Sequence, residues 1–150
     1  MKTSREIVIL IAEDDPGHAR LIEKNLTRGG LNNSIQRFTN GQQVLDFLFR
    51  QGAGPHRVLD TPYLLLLDIR MPQVDGVEVL RKLKADAELR KIPVIMLTTT
   101  DDPREVERCH QIGCSSYVVK PVNYERFAEA VKNLGLYISL VEVPEIDGGH

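Results

Sequence analysis

The sequence predicts one α/β domain: a doubly wound, five-stranded parallel sheet in the order 2-1-3-4-5, with helices on both faces. Three observations lead there. Residues 7–11, 63–67 and most of 94–97 are unbroken apolar runs, the pattern of strands covered on both faces. Segments with helical spacing separate each strand from the next, and strict alternation of this kind gives parallel strands joined by right-handed crossovers. Two further strand-like segments, 34–38 and 115–119, begin with polar residues and carry fewer apolar ones, which suits the edges of the sheet. With the second and fifth strands at the edges, 2-1-3-4-5 is the simplest order.

Taken along the chain, the first strand is followed by a helix over 16–28, with Ala19, Ile22 and Leu26 on one face and Asp15 before Pro16 as its N-cap. The second helix spans 41–51. Residues 52–62, with their glycines, prolines and charges, read as a long surface loop before the third strand. Helices over 76–86 and 102–111 follow the third and fourth strands. A last helix runs from Tyr124 onward behind a cap at Asn123, with Phe127, Val131, Leu134 and Ile138 on its apolar face. Gly135 is placed to end it. The apolar stretch 136–143 (LYISLVEV) completes a domain over 1–143, and 144–150 form a loose tail. An apolar stretch beyond a helix end is also a candidate self-association surface, so a homodimer is expected.

The 150 residues are enough for one core without disulfides or a structural metal, and 42% hydrophobic with 27% charged residues is ordinary for a folded domain. A net charge of -2 argues against nucleic acid or an anionic membrane as partner. No apolar run approaches the roughly 20 residues needed to span a bilayer, and residues 1–6 enter the first strand without signal-peptide organisation. A cytoplasmic location is expected. Cys109 and Cys114 stand five apart with no second pair or nearby His cluster, which fits no strong zinc spacing and reads better as buried or surface thiols.

In an open parallel sheet a site forms at the carboxyl ends of the strands, where the strand order reverses. Here the first strand leads into Glu13, Asp14 and Asp15, the third into Asp68, the fourth into Thr98, and the fifth into Lys120. Like charges at about 4 Å repel by roughly 4 kcal/mol at an effective dielectric of 20, so the acids require a cation. Hard carboxylate oxygens without His or thiolate favour Mg2+. A carboxylate nucleophile, a divalent ion, a lysine and a hydroxyl are the parts of phosphoryl transfer. Asp68, alone at the end of an apolar strand, is the natural nucleophile.

Residues 9–15 (ILIAEDD), 66–76 (LLDIRMPQVDG), 94–99 (VIMLTT) and 113–121 (GCSSYVVKP) together resemble the four ordered signatures of response-regulator receiver domains, which have a flavodoxin-like fold. The resemblance implies that Asp68 is the phosphoacceptor and Asp14 a direct Mg2+ ligand. Glu13 is then an outer carboxylate acting through water, and the backbone carbonyl of Arg70 the third protein ligand. It also implies that Thr98 and Lys120 contact phosphoryl oxygens, that the Lys120–Pro121 bond is cis, and that Tyr117 is the switch aromatic. The implied partner is a sensor histidine kinase, and the only chemistry is self-phosphorylation and slow dephosphorylation, with no DNA-binding output. Two residues depart from the family's habit: Glu13 replaces an aspartate, and Arg70 replaces a smaller polar residue and leans over the site. The long loop and apolar C-terminal stretch resemble the stand-alone regulators of cyanobacterial phytochromes.

Each residue alone has a blander role. Glu13 to Asp15 could be a solvated helix start, Asp68 a turn cap, Thr98 a strand end, Lys120 a surface lysine and Tyr117 simple packing. The four scattered histidines receive no catalytic role. An aspartate-nucleophile phosphohydrolase would need an acid where Arg70 stands, no P-loop motif occurs, and the intact cluster argues against an unphosphorylated adaptor.

Overall fold

The computed structural model describes residues 7–99 and 102–120, together with positions 125, 128, 129, 132 and 133. It contains β1 (Val8–Ala12), α1 (Pro16–Arg28), β2 (Ile35–Phe38), α2 (Gly41–Phe49), β3 (Tyr63–Leu67), α3 (Gly76–Lys84), β4 (Val94–Thr98), α4 (Pro103–Ile112) and β5 (Ser116–Val119). All neighbouring strands pair parallel in the order β2-β1-β3-β4-β5. Doubly wound topology and edge positions thus agree with the sequence pattern.

The boundaries shift by one or two residues, each for a local reason. Ala12 rather than Ile11 ends β1, because Ala12 still pairs with both Phe38 and Leu67. α2 stops at Phe49, two residues early, where Arg50 takes a left-handed conformation at φ 57°. α3 stops at Lys84, and a short 3-10 turn, Leu89–Lys91, that the periodicity does not signal precedes β4. Asp102 caps α4 from outside: its carboxylate accepts from Arg104 N–H at 3.0 Å. Asp15, Asn40 and Asp75 cap α1, α2 and α3 in the same way.

The sheet separates two apolar layers. Leu10, Phe38, Leu65, Leu67 and Met96 face α2, α3 and α4, whereas Ile9, Ile11, Leu64, Leu66 and Ile95 face Ile22 and Leu26 of α1. Both faces of β1, β3 and β4 are buried, which is why those strands read as continuous apolar runs. Glu125, Ala128, Glu129, Lys132 and Asn133 are helical, as expected for the last helix. The Asn123 cap, that helix's apolar face, the Lys120–Pro121 bond, residues 136–143 and the tail lie outside the described residues.

The loop before β3 is held at several points. Arg57 is buried and its Nε donates to Leu48 O at 2.8 Å, while its N–H donates to Phe47 O at 3.0 Å. Leu48 O thereby gains a donor from outside the helix, and Phe47 O, which also accepts from Arg50 N–H at 3.3 Å, gains a second.

Candidate functional site

Register brings the polar residues together. Ala12 pairs with Leu67 and Leu67 with Met96, so Glu13 and Asp68 leave their strands at the same level, with Thr98 one residue further on. Asp68 N–H donates to Ala12 O and Glu13 N–H to Phe38 O, each at 3.0 Å. These bonds carry the ladder one residue past the strands and fix the backbone from which both acids project.

One oxygen from each of Glu13, Asp14 and Asp68 lies within 4.8 Å of the others. Glu13 is 2% exposed, Asp68 8%, Lys120 6% and Thr98 0%, whereas Asp14 is open to solvent. Lys120 Nζ donates to Glu13 Oε1 in a buried ion pair and lies 3.6 Å from Asp68 Oδ2. Burial pushes the Glu13 carboxyl up to about 7, with repulsion from Asp68 adding to the rise and the bond from Lys120 opposing it.

The expected residues therefore do converge: Glu13, Asp14, Asp68, Thr98 and Lys120 occupy one end of the sheet. Lys120, however, is hydrogen-bonded to Glu13 rather than to Asp68. Arg70 is exposed at the rim of an opening of about 390 Å3, which Asp14, Met71, Asp75 and Glu105 also line. Tyr117 is half-buried against the core layer that includes Cys109, and burial pushes its phenol above the ordinary range. Pro121 lies outside the described residues.

Three all-oxygen ligands of hard character, one of them facing an open cavity with room for water, fit Mg2+ better than a softer ion. The donor set contains neither imidazole nor thiolate.

Three residues escape a reading of strand ends. Arg37 of β2 donates to the backbone carbonyls of Glu13 and Asp14. His18 Nδ1 lies 3.3 Å from Lys120 Nζ, which puts an imidazole beside the lysine of the cluster. Gly76 begins α3 against the backbone of Asp68. A Cβ there would lie 2.1 Å from Asp68 O, so only glycine allows this approach. The periodicity places a helix from Gly76 but gives no sign of its contact with Asp68, and nothing in the spacing of Arg37 or His18 marks either one.

The family model for the response regulator receiver domain matches residues 9–132. A probable methanogenesis regulatory protein, FilR2, of Methanothrix harundinacea is 37% identical over 130 residues, covering 87% of this chain and 82% of that protein. A response regulator receiver domain from Rhodospirillum rubrum superposes with a TM-score of 0.87 at 46% identity, covering 94% and 99% of the two chains. The Mn2+-bound form of the response regulator Rcp1 gives 0.81 at 28% identity over 91% and 98%. The phosphorylated cyanobacterial phytochrome response regulator RcpA gives 0.79 at 25% over 94% and 99%.

Proposed function

The chain belongs to the response regulator receiver domain family, and from that premise we propose that Asp68 accepts a phosphoryl group from the phosphohistidine of a sensor histidine kinase. One observation carries the assignment of the residue. Of the three clustered acids, Asp14 is exposed and Glu13 is tied into the ion pair with Lys120, whereas Asp68, buried at the end of the central strand β3, lies within 4.8 Å of both acids and 3.6 Å from the lysine ammonium without being hydrogen-bonded to it.

Asp68 supplies the attacking oxygen: an O–P bond forms as the P–N bond of the donor breaks, and the donor ring, protonated on its other nitrogen before transfer, keeps that proton and departs as a neutral imidazole on the kinase, leaving an acyl phosphate on Asp68. Mg2+, when bound, offsets charge on the transferring phosphoryl oxygens. Asp14 would bind it directly, with Glu13 acting through water and Arg70 contributing its backbone carbonyl. Lys120 must exchange part of its contact with Glu13 for a phosphoryl oxygen, a short displacement across a gap of 3.6 Å. Thr98, buried at the end of β4, contributes a hydroxyl to another phosphoryl oxygen. Movement of Thr98 and repacking of the half-buried Tyr117 then alter the surface of α4 and β5, a packing change biased by the added charge. Slow loss of the phosphoryl group to water resets the protein, with Arg70 at the rim modulating its rate.

The likeness to a cyanobacterial phytochrome regulator favours a phytochrome as the kinase, and residues 136–143 favour a homodimer. Neither nucleic acid nor membrane is a proposed partner; among the described residues no helix is long and apolar enough to cross a membrane.

The test is incubation with Mg2+ and acetyl phosphate or phosphoramidate, followed by intact mass. The expected result is a Mg2+-dependent gain of one phosphoryl group, absent in Asp68→Asn. Failure of the wild type both to gain that mass and to bind beryllofluoride would overturn the assignment.

A further inference from the structure

Beyond the last pairing residue of β1, the backbone carbonyls of Glu13 and Asp14 leave the parallel ladder and need other donors. Arg37 on the edge strand β2 supplies them. Its Nε and Nη2 donate to Glu13 O at 3.1 and 2.9 Å, and Nη2 also reaches Asp14 O at 3.2 Å. The next residue, Phe38, accepts from Glu13 N–H at 3.0 Å. Two consecutive residues of β2 therefore hold Glu13 by both of its backbone groups, and one of them holds Asp14 as well.

Phe38 is buried in the core layer facing α2, so alternation along β2 sends Arg37 toward the opposite face, over the start of α1. The guanidinium touches carbonyl oxygens and not the carboxylates. It brings positive charge to the acid cluster without occupying the oxygens that would bind a cation. A planar fork can bond two successive carbonyls at once, which the single ammonium of a lysine cannot do with the same rigidity.

We infer that Arg37 is a positioning residue for the divalent cation: it locks the peptide that carries Glu13 and Asp14, and so fixes how their carboxylates face Asp68. This rests on the metal-assisted role proposed above for those acids. Residues behind metal ligands orient them, and losing one lowers metal affinity by about 10–100-fold.

The test compares the full-length wild type with R37Q and R37K by calorimetric Mg2+ titration of the unphosphorylated protein, and by amide hydrogen exchange of residues 13–15 in EDTA. Expected for R37Q are a Mg2+ dissociation constant raised about tenfold or more and faster exchange at 13–15 without metal. Its initial phosphorylation rate should return to within about twofold of wild type at saturating Mg2+, the split a ligand-orienting residue produces. R37K should recover only a minor part of the affinity, because charge returns without the fork. Should R37Q fail to fold, R37K carries the comparison, and weak Mg2+ binding with fast local exchange is again the expected result. Unchanged Mg2+ affinity in a folded R37Q, or full recovery in R37K, would overturn the positioning role alone. A wild type that binds no Mg2+ would instead overturn the metal-assisted function from which it follows.

Discussion

Asp68 sits among charges of its own sign, and its worth differs between the resting and working protein. Without metal, Glu13 and Asp14 crowd it within 4.8 Å, and Lys120 is committed first to Glu13. Asp68→Asn removes one repelling charge and keeps the shape. The metal-free variant should gain on the order of 1 kcal/mol, seen as a thermal midpoint raised by about 2–4 °C in EDTA. An equal or lower midpoint would show that Lys120 already neutralises Asp68. Cys109 offers a second check at this scale. It is fully buried, and burial pushes its thiol up to about 11, while Cys114 is raised for the same reason. Both should resist a thiol reagent at pH 8 in the native state and react on unfolding. Because folding raises the Cys109 pKa, the thiol's contribution is complete below the unfolded value of 9.0 and is lost as pH rises toward 11. The fall in stability across that window should be on the order of 2–3 kcal/mol, and Cys109→Ala should flatten it in a denaturant series.

Elements meet the site through backbone contacts that admit no alternative side chain. The start of α3 touches the backbone of Asp68 and Ile69 through Gly76, whose N–H also donates to Ile69 O at 2.8 Å. Gly41 at the start of α2 makes a similar approach to the carbonyl of Val74, so the segment 68–76 is pinned between two helix starts. Gly76→Ala must displace either α3 or Asp68. The expected cost is about 1–3 kcal/mol, accompanied by loss of phosphorylation out of proportion to the unfolded fraction. Denaturant melts alongside acetyl phosphate kinetics would reveal this, and normal kinetics in a stable variant would contradict it. At the far end of α2, Arg57 satisfies Leu48 O. Arg57→Ala leaves that carbonyl without its donor, for a loss of about 1–3 kcal/mol. Phosphorylation should stay normal, since Arg57 precedes β3 at the end of the sheet opposite the acids.

For the whole molecule, binding to the folded state alone stabilises it by mass action. Mg2+ at a hundred times its dissociation constant should add about 2.7 kcal/mol to wild type and little to Asp14→Ala, a difference that melting curves with and without EDTA would detect. The proposed dimer is a separate matter at the same scale. Sedimentation of the chain cut after Gly135 should give a monomer if residues 136–143 join two copies, and an unchanged state would remove that segment from the interface.

The sequence by itself determined the sheet order, the parallel pairing, three buried central strands and the place where Glu13, Asp14, Asp68, Thr98 and Lys120 meet. These follow from patterns local to the chain, apolar runs of about five residues and the polar residues that end them, together with the rule that such a sheet binds at its carboxyl edge. What those residues do to one another was decided only in three dimensions. Lys120 reaches Glu13 across 107 positions of sequence, His18 across 102, and Arg37 reaches Glu13 across 24. Such contacts depend on strand register and on which way a side chain leaves its strand, and neither leaves a periodic trace. The same holds for Gly76: the periodicity places a helix from there, but only packing shows that the helix begins against Asp68, because a missing Cβ has meaning only when another backbone occupies its space.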